Sequence, residues 1–244
     1  MCYSNSSTSS NEQLAKIYKR SIPTLFPQSP LFYSSGFTLP KWRVITSSPS
    51  LQTMSWGLLP HWYQGNEPQS FRQKTLNARI ETLHEKKSYY RLIDTKRCVV
   101  PSDGFFEWQL MGKTKIPYFI YPNDTPIFSM AGIYDEWVSD SGAEPLQSFS
   151  IITTEANTLM AEIHNQKRRM PLLLENSDID RYLMGSDVIQ AFPVLSERFM
   201  KAHSVKKSIL VSSNCNIPEA QQPVVNNNGF QSSLFSWMVL TLFE

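Results

Sequence analysis

The sequence predicts a single α+β domain, built on a large, mainly antiparallel sheet with a few peripheral helices. Three observations lead there. From about residue 44 onward, short apolar runs alternate with turn signals, the rhythm of successive strands. Helical periodicity is confined to a few short stretches. The 244 residues contain no repeat, long linker or break in composition, which fits one domain with an ample core.

The elements follow in order. Residues 1–12 are small and polar, and EQLAKIYKR predicts a helix near 12–20. Residues 21–50 hold several prolines and read as irregular coil wrapping the core. LQTMSWGLL reads as a strand, and RCVVPSD and GFFEWQL read as a pair of strands. PYFIYP, IFSMAGIYDEWV and FSIITT continue the series, with MGKTK, NDTP and SDSGAEP as turns. Thr154 is a candidate N-cap for a helix over EANTLMAEI. NSDIDRYLM begins acidic and ends before Gly185, a second helical signature, and RMPLLL lies between the two as a strand. The apolar LFSWMVLTLF near the C-terminus is too short to span a bilayer and reads as a buried last strand or docking segment.

Composition narrows the function classes. Hydrophobic residues make up 41% and charged residues 18%, a globular balance. A net charge of +2 permits nucleic-acid binding without arguing for it. Cys2, Cys98 and Cys215 form no disulfide framework and no C-x-x-C pair, so no metal or other cofactor is expected. The N-terminus has no apolar signal core, and no run of about 18 apolar residues occurs. A monomer in a reducing, cytoplasmic setting is expected, with no membrane partner.

Several stretches can carry chemistry. The chain begins MCYSNSS; if Met1 leaves, Cys2 carries a free α-amine and a thiol on adjacent carbons. The plain alternative is a frayed, Ser-rich tail. In LNARIET, Asn77, Arg79 and Glu81 share one side of an extended segment and suit an anionic, oxygen-rich ligand, or else Arg79 and Glu81 form a structural ion pair. Lys86, Lys87, Arg91, Lys96 and Arg97 surround Tyr89 and Tyr90, as in a strand-tracking surface or a solvated helix face. Glu107 lies between Phe106 and Trp108. Desolvation there would favour its neutral form and fit it for proton transfer, although the period alone favours a solvent-facing Glu107. His164 precedes Lys167, Arg168 and Arg169 and reads as a neutral proton relay or a capping histidine. WGLLPHWY places Trp62 and Tyr63 where they can stack on bases, with Trp56 in the core.

Together, Met-Cys, WGLLPHW, LNARIET, VVPSDGFFEW, PYFIY, AGIYDEW, ITTEAN, IHNQKRRMP and HSV resemble, in order, the SOS-response-associated peptidase (SRAP) family. The resemblance covers almost the whole chain and treats residues 1–244 as one domain. It implies a twisted, barrel-like β core and a basic groove for single-stranded DNA. It also implies loss of Met1 and a covalent link between Cys2 and the ring-opened sugar of an abasic site. By the same resemblance Cys2 is the nucleophile, Asn77 bonds near the opened sugar, Glu107 positions the amine and moves protons, and His164 assists sugar opening. Arg79, Pro40, Trp62, Tyr63, Trp108 and either Arg168 or Arg169 would border the DNA. Many members begin Met-Cys-Gly-Arg, whereas Ser4 here cannot supply that charge; Lys16 or Arg20 are candidate substitutes. The segment between His164 and the Arg-Met-Pro is also longer than the common form. Two other classes fit an N-terminal Cys or the basic aromatics: an N-terminal-nucleophile amidohydrolase, and a non-catalytic single-strand-binding module.

Overall fold

The polar N-terminus does not fray. In the computed structural model, which describes residues 2–24, 26, 29–139, 144–185 and 187–224, Ser4–Ser7 form a buried strand, β1, inside a sheet. There follow helix α1 (Asn11–Tyr18), strands β2 (Leu31–Ser35), β3 (Lys41–Val44) and β4 (Gln52–Trp56), helix α2 (Pro68–Lys74) and β5 (Asn77–Arg79). Next come α3 (Leu92–Thr95), β6 (Arg97–Ser102), β7 (Gly104–Met111), β8 (Thr114–Pro122), β9 (Phe128–Trp137) and β10 (Leu146–Glu155). The last described elements are α4 (Thr158–Ile163), β11 (Arg169–Pro171), β12 (Leu173–Leu174), α5 (Ile179–Leu183), β13 (Met200–Ser204) and α6 (Lys207–Leu210).

One sheet has the order β13-β8-β7-β1-β2; the other runs β12-β9-β10-β4-β3, with β6 on β9 and both β5 and β11 on β10. Pairing is antiparallel except where β4 and β5 run alongside β10. The α+β class and mainly antiparallel character are as expected, but neither sheet closes, so the core is two open sheets rather than a barrel-like one. The corner between β6 and β7 accounts for much of this. Expected as a pair, the two strands fall in different sheets, because Asp103 alone separates them and one residue cannot make a hairpin turn. Gly104 permits the crossing: a Cβ there would lie 2.6 Å from the Ile120 carbonyl oxygen and 2.5 Å from the Phe119 ring.

Residues 21–50 are not coil alone. They contain β2 and β3, with Pro30 and Pro40 immediately before each strand, where a missing N–H costs no ladder bond. Thr154 belongs to β10, and the N-cap of α4 is Asn157, whose side chain accepts from Met160 N–H at 2.9 Å. A 3-10 turn (Asn176–Asp178) precedes α5. The apolar C-terminal segment lies outside the described residues.

Alternation along the strands sorts three apolar layers. Trp42, Val44, Met54, Trp56, Phe105, Ile120, Phe149 and Ile151 pack between the sheets, together with Cys2. The opposite face of the larger sheet presents Ile45, Val99, Ile133 and Ile152 to Leu14 and Tyr18 of α1, Leu92 of α3 and Tyr182 of α5. The outer face of the smaller sheet packs Phe106 and Phe119 on Val205 and Leu210. Each fully buried Phe or Leu of these layers stabilises by roughly 1.5–3 kcal/mol. The buried indoles keep their polar handles satisfied: Trp42 Nε1 donates to Pro101 O and Trp56 Nε1 to Leu76 O, both at 2.9 Å.

One guanidinium fastens the N-terminal segment to this core. Buried Arg43 donates to Ser7 Oγ (2.7 Å), Ser7 O (3.2 Å), Ser9 O (2.6 Å) and Asn11 Oδ1 (3.1 Å). Arg43→Ala strands those acceptors and is expected to destabilise the fold by about 3 kcal/mol, lowering Tm by roughly 6–12 °C. Thermal unfolding checks it, and an unchanged Tm would contradict the fastening role.

Candidate active site

Strand β1 brings Cys2 to the catalytic candidates. The β1–β7 ladder ends with Ser4 facing Phe106; Cys2, before the strand, packs in the inter-sheet core, close enough to Glu107 to feel its charge. Cys2 is 0% exposed. Its carbonyl accepts from Asn77 Nδ2 at 2.9 Å, and its thiol donates to Asn5 Oδ1 at 3.5 Å. Burial, and then the Glu107 charge, push the thiol well above its ordinary value, so it is held neutral. Asn77 lies at the start of β5, which β10 holds in parallel register opposite Ile151. Its Oδ1 is buried without a hydrogen-bond partner among the described residues, an acceptor aimed at the same locality.

Glu107 is buried, not solvent-facing, because β7 is covered on both faces: Phe105 looks into the inter-sheet core, Phe106 and Trp108 into the outer layer. Desolvation raises its pKa to about 7 despite nearby positive charge, including Lys167. Facing it is His164, the C-cap of α4, with Nε2 3.9 Å from Glu107 Oε2. That gap exceeds a direct hydrogen bond. His164 Nδ1 lies 2.9 Å from Arg169 O, an acceptor, so Nδ1 carries the proton and Nε2 presents its lone pair. Burial lowers the His164 pKa, helped by the charges of Lys167 and Arg169, and outweighs the hydrogen bond to Arg169 O. A neutral imidazole and a carboxyl titrating near neutrality therefore face each other beside Cys2.

The arginines divide. Arg169 is buried and doubly bonded to Glu81, and it also donates to Thr153 O at 2.6 Å. Glu81 is thus paired with Arg169 rather than forming the structural pair with Arg79. Burial raises the Glu81 pKa, but the Arg169 and backbone bonds and the cationic charges together hold it below its ordinary value. Arg79 and Arg168 are exposed, and neither has a committed partner among the described residues. Arg168 takes φ 47°, a left-handed conformation that closes the long turn after His164, and lines an open groove of about 510 Å³ with Gln109 and Asn165.

Pro40, Trp62, Tyr63 and Trp108 are half-buried. Tyr63 and Trp62 rest on Phe71 of α2, with centroids 4.8 and 6.3 Å away, and Lys87 Nζ sits 4.3 Å above the Trp62 ring. Sequence reasoning missed what holds this loop. Fully buried Asp135 accepts from His61 N and Nδ1 (2.8 Å each) and Lys96 Nζ (2.6 Å), while Trp137 Nε1 donates to Tyr63 O at 2.7 Å. The available signal was the spacing of YDEW, which puts Asp135 and Trp137 on one face of β9. Of the basic stretch, Lys96 is thereby paired, and Arg97 is buried against the carbonyls of Ile93, Tyr182 and Asp187. Tyr89 is core, and Lys86, Lys87 and Arg91 remain exposed. Ser4 turns its hydroxyl to Tyr33, Arg20 is engaged by the carbonyls of Tyr18, Lys19 and Thr46, and Lys16 is exposed on α1.

Among the described residues no group of His, Cys, Asp and Glu could hold a metal ion, and no helix is long and apolar enough to cross a membrane. The folded pKa of Glu107, about 7, lies above the ordinary 4.5, so between these values the native state holds a proton that the unfolded chain has lost. Stability from this group is present below pH ~4.5 and is lost as pH rises through ~7, in total about 3 kcal/mol. Glu107→Gln is expected to gain about that much relative to the parent chain between pH 4.5 and 8 in urea unfolding. A pH-independent difference would contradict the buried-acid assignment.

The chain is similar to known proteins in sequence and in fold. The family model "SOS response associated peptidase (SRAP)" matches residues 1–212. The chain is 37% identical over 163 residues to the abasic site processing protein HMCES of Gallus gallus, covering 59% of this chain and 48% of that protein. It is 38% identical over 138 residues to the abasic site processing protein YoqW of Bacillus subtilis, covering 56% and 58%. The matches thus span about half the length of these curated relatives. A crystal structure of a protein from Bacteroides thetaiotaomicron superposes with TM-score 0.85 at 37% identity, covering 92% of this chain and all of that one. The chain belongs to the SRAP family.

Proposed function

We propose that this protein processes abasic sites in single-stranded DNA by linking Cys2 covalently to the opened sugar. The observation that carries this reading is the convergence of the Cys2 carbonyl on Asn77 and of the Glu107–His164 pair on the same buried corner. The names of the relatives, abasic site processing proteins, point the same way.

Hydrolysis of the Met1–Cys2 bond consumes one water and bares the α-amine. The abasic sugar is a cyclic hemiacetal. His164 Nε2 takes the proton of its anomeric hydroxyl while Glu107, protonated near neutral pH, gives one to the ring oxygen, and the ring opens to an aldehyde. The amine, whose ordinary pKa is about 7.7–8.0, attacks the aldehyde carbon, and one water leaves to form an imine. The thiol then adds across the C=N bond: sulfur bonds to carbon, the thiol proton passes to nitrogen through the Glu107 carboxylate, and a thiazolidine closes. A neutral, buried thiol suits this order, since the amine acts first. Asn77 fixes the Cys2 backbone, and its free Oδ1 takes a hydroxyl of the opened sugar. Arg79 and Arg168 hold flanking phosphates, Trp62 and Tyr63 meet bases, and Arg169 acts through its pairing with Glu81 and its carbonyl bond to His164.

Intact mass after mixing with a single-stranded oligonucleotide bearing one abasic site tests the reading. One adduct per chain is expected, at the summed masses of Met1-free protein and DNA minus one water, absent in Cys2→Ala. Glu107→Gln and His164→Ala should each slow adduct formation by about 10²-fold or more. Arg168→Ala should weaken binding and reduce the salt slope by about one. Repeated turnover of a small amide without DNA would favour the amidohydrolase reading, and DNA binding unchanged in Cys2→Ala with no adduct in either protein would favour the binding module.

A further inference from the structure

Beside Cys2 the surface carries two rings that the chemistry above does not use. Tyr3 is half-buried, and Phe37 is 48% exposed, the most exposed Phe, Tyr or Trp ring among the described residues. Their centroids are 5.0 Å apart with planes inclined at 39°. Strand pairing locks the two to the nucleophile. Ser4 faces Ser35 in the β1–β2 ladder, and Gly36 N donates to Tyr3 O at 2.8 Å, so Phe37 sits one residue beyond a bond to the neighbour of Cys2.

The turn presenting Phe37 is rigid. Gly36–Thr38 form one 3-10 turn. Thr38 Oγ1 donates to Ser35 O at 2.7 Å, Leu39 N to Gly36 O at 2.9 Å, and Gln73 Nε2 of α2 to Phe37 O at 3.0 Å. Leu39 closes the turn at φ 53°, a left-handed conformation that a leucine keeps only when its surroundings impose it. A turn held on three sides, yet leaving a phenyl ring in water, is built to offer that ring to something.

We propose that Tyr3 and Phe37 form a stacking platform for a nucleobase adjoining the abasic site. The proposal rests on the functional reading above. A strand whose sugar reaches Cys2 must carry its neighbouring nucleotides past the residues next to Cys2. Those residues offer π faces rather than a cation, since Ser4 is buried against Tyr33. Every base has a face to stack, so such a platform holds the strand without reading its sequence.

The test is a cycle between protein and DNA. The probe is a single-stranded oligonucleotide with one tetrahydrofuran abasic analogue, which cannot open and so reports binding without chemistry. Its partners replace the base-bearing nucleotide on the 5′ side, the 3′ side or both with further tetrahydrofuran residues. Phe37→Ala should weaken binding to the normally flanked probe roughly tenfold, and leave binding unchanged where the stacked base is missing. Phe37→Trp should restore affinity, and Phe37→Leu, apolar but without a π face, should not. Equal loss on all probes, or no loss on any, would overturn the platform while leaving covalent capture standing, because the Phe37 variants would still form the Cys2 adduct at saturating abasic DNA. Failure of the parent protein both to bind the probe and to form the adduct would instead overturn the functional reading, and the platform with it.

Discussion

The site depends on burying a polar strand in the middle of a sheet. Ser4, Asn5, Ser6 and Ser7 carry little apolar surface, and water would hold them outside unless each buried polar group found a partner. The fold supplies most of them: Ser4 donates to Tyr33, Ser6 to Gly104 O, Ser102 to Ser6 O, and Arg43 to Ser7, while Asn5 Nδ2 is left without a hydrogen-bond partner among the described residues. Thr8 N and Ser9 Oγ both donate to Asp103, the corner residue between β6 and β7. The corner that sends β7 into the second sheet also anchors the strand that brings Cys2 to Glu107. Position along the chain and position in the fold are thereby opposed, and a terminal residue becomes part of the core.

Two kinds of electrostatic arrangement surround that strand. Asp135 and the Glu81–Arg169 pair are paired charges; they hold the Trp62 loop and the turn after His164 in place. Glu107 is different. Burial raises it toward neutrality at a cost in stability above pH ~7, and the same burial makes it able to give and take a proton under ordinary conditions. A surface carboxylate in its place would be easier to fold and poor at both. His164 mirrors it: burial keeps the ring neutral, and the Arg169 carbonyl fixes which nitrogen faces the carboxyl.

Much of this was legible in the sequence. The strands from β6 to β10 announced themselves because apolar alternation and turn residues agreed there. Asn77, Glu107 and His164 were open to plainer readings residue by residue, and the roles expected of them came from the family resemblance. β1 did not, because no period exists in a run of serines, and its burial depends on partners up to 98 residues away. β2 and β3 were hidden by the prolines that introduce them. The β6–β7 pairing was misread because a corner and a tight turn share the same Asp-Gly signal. The period alone favoured a solvent-facing Glu107, and that reading failed because a strand covered on both faces has no solvent side. The burial of Arg169 and exposure of Arg168 were equally invisible: they follow from the pairing of Arg169 with Glu81, 88 residues away in sequence.

The central claim is that Cys2 captures the abasic sugar through both its amine and its sulfur. Mass alone cannot separate an imine from a thiazolidine, because the two are isomers. Labelling C1′ of the abasic sugar with ¹³C and reading its NMR shift in the adduct distinguishes them. A tetrahedral carbon bonded to nitrogen and sulfur is the expected result, and a trigonal imine carbon, or an adduct shift unchanged in Cys2→Ser, would contradict it.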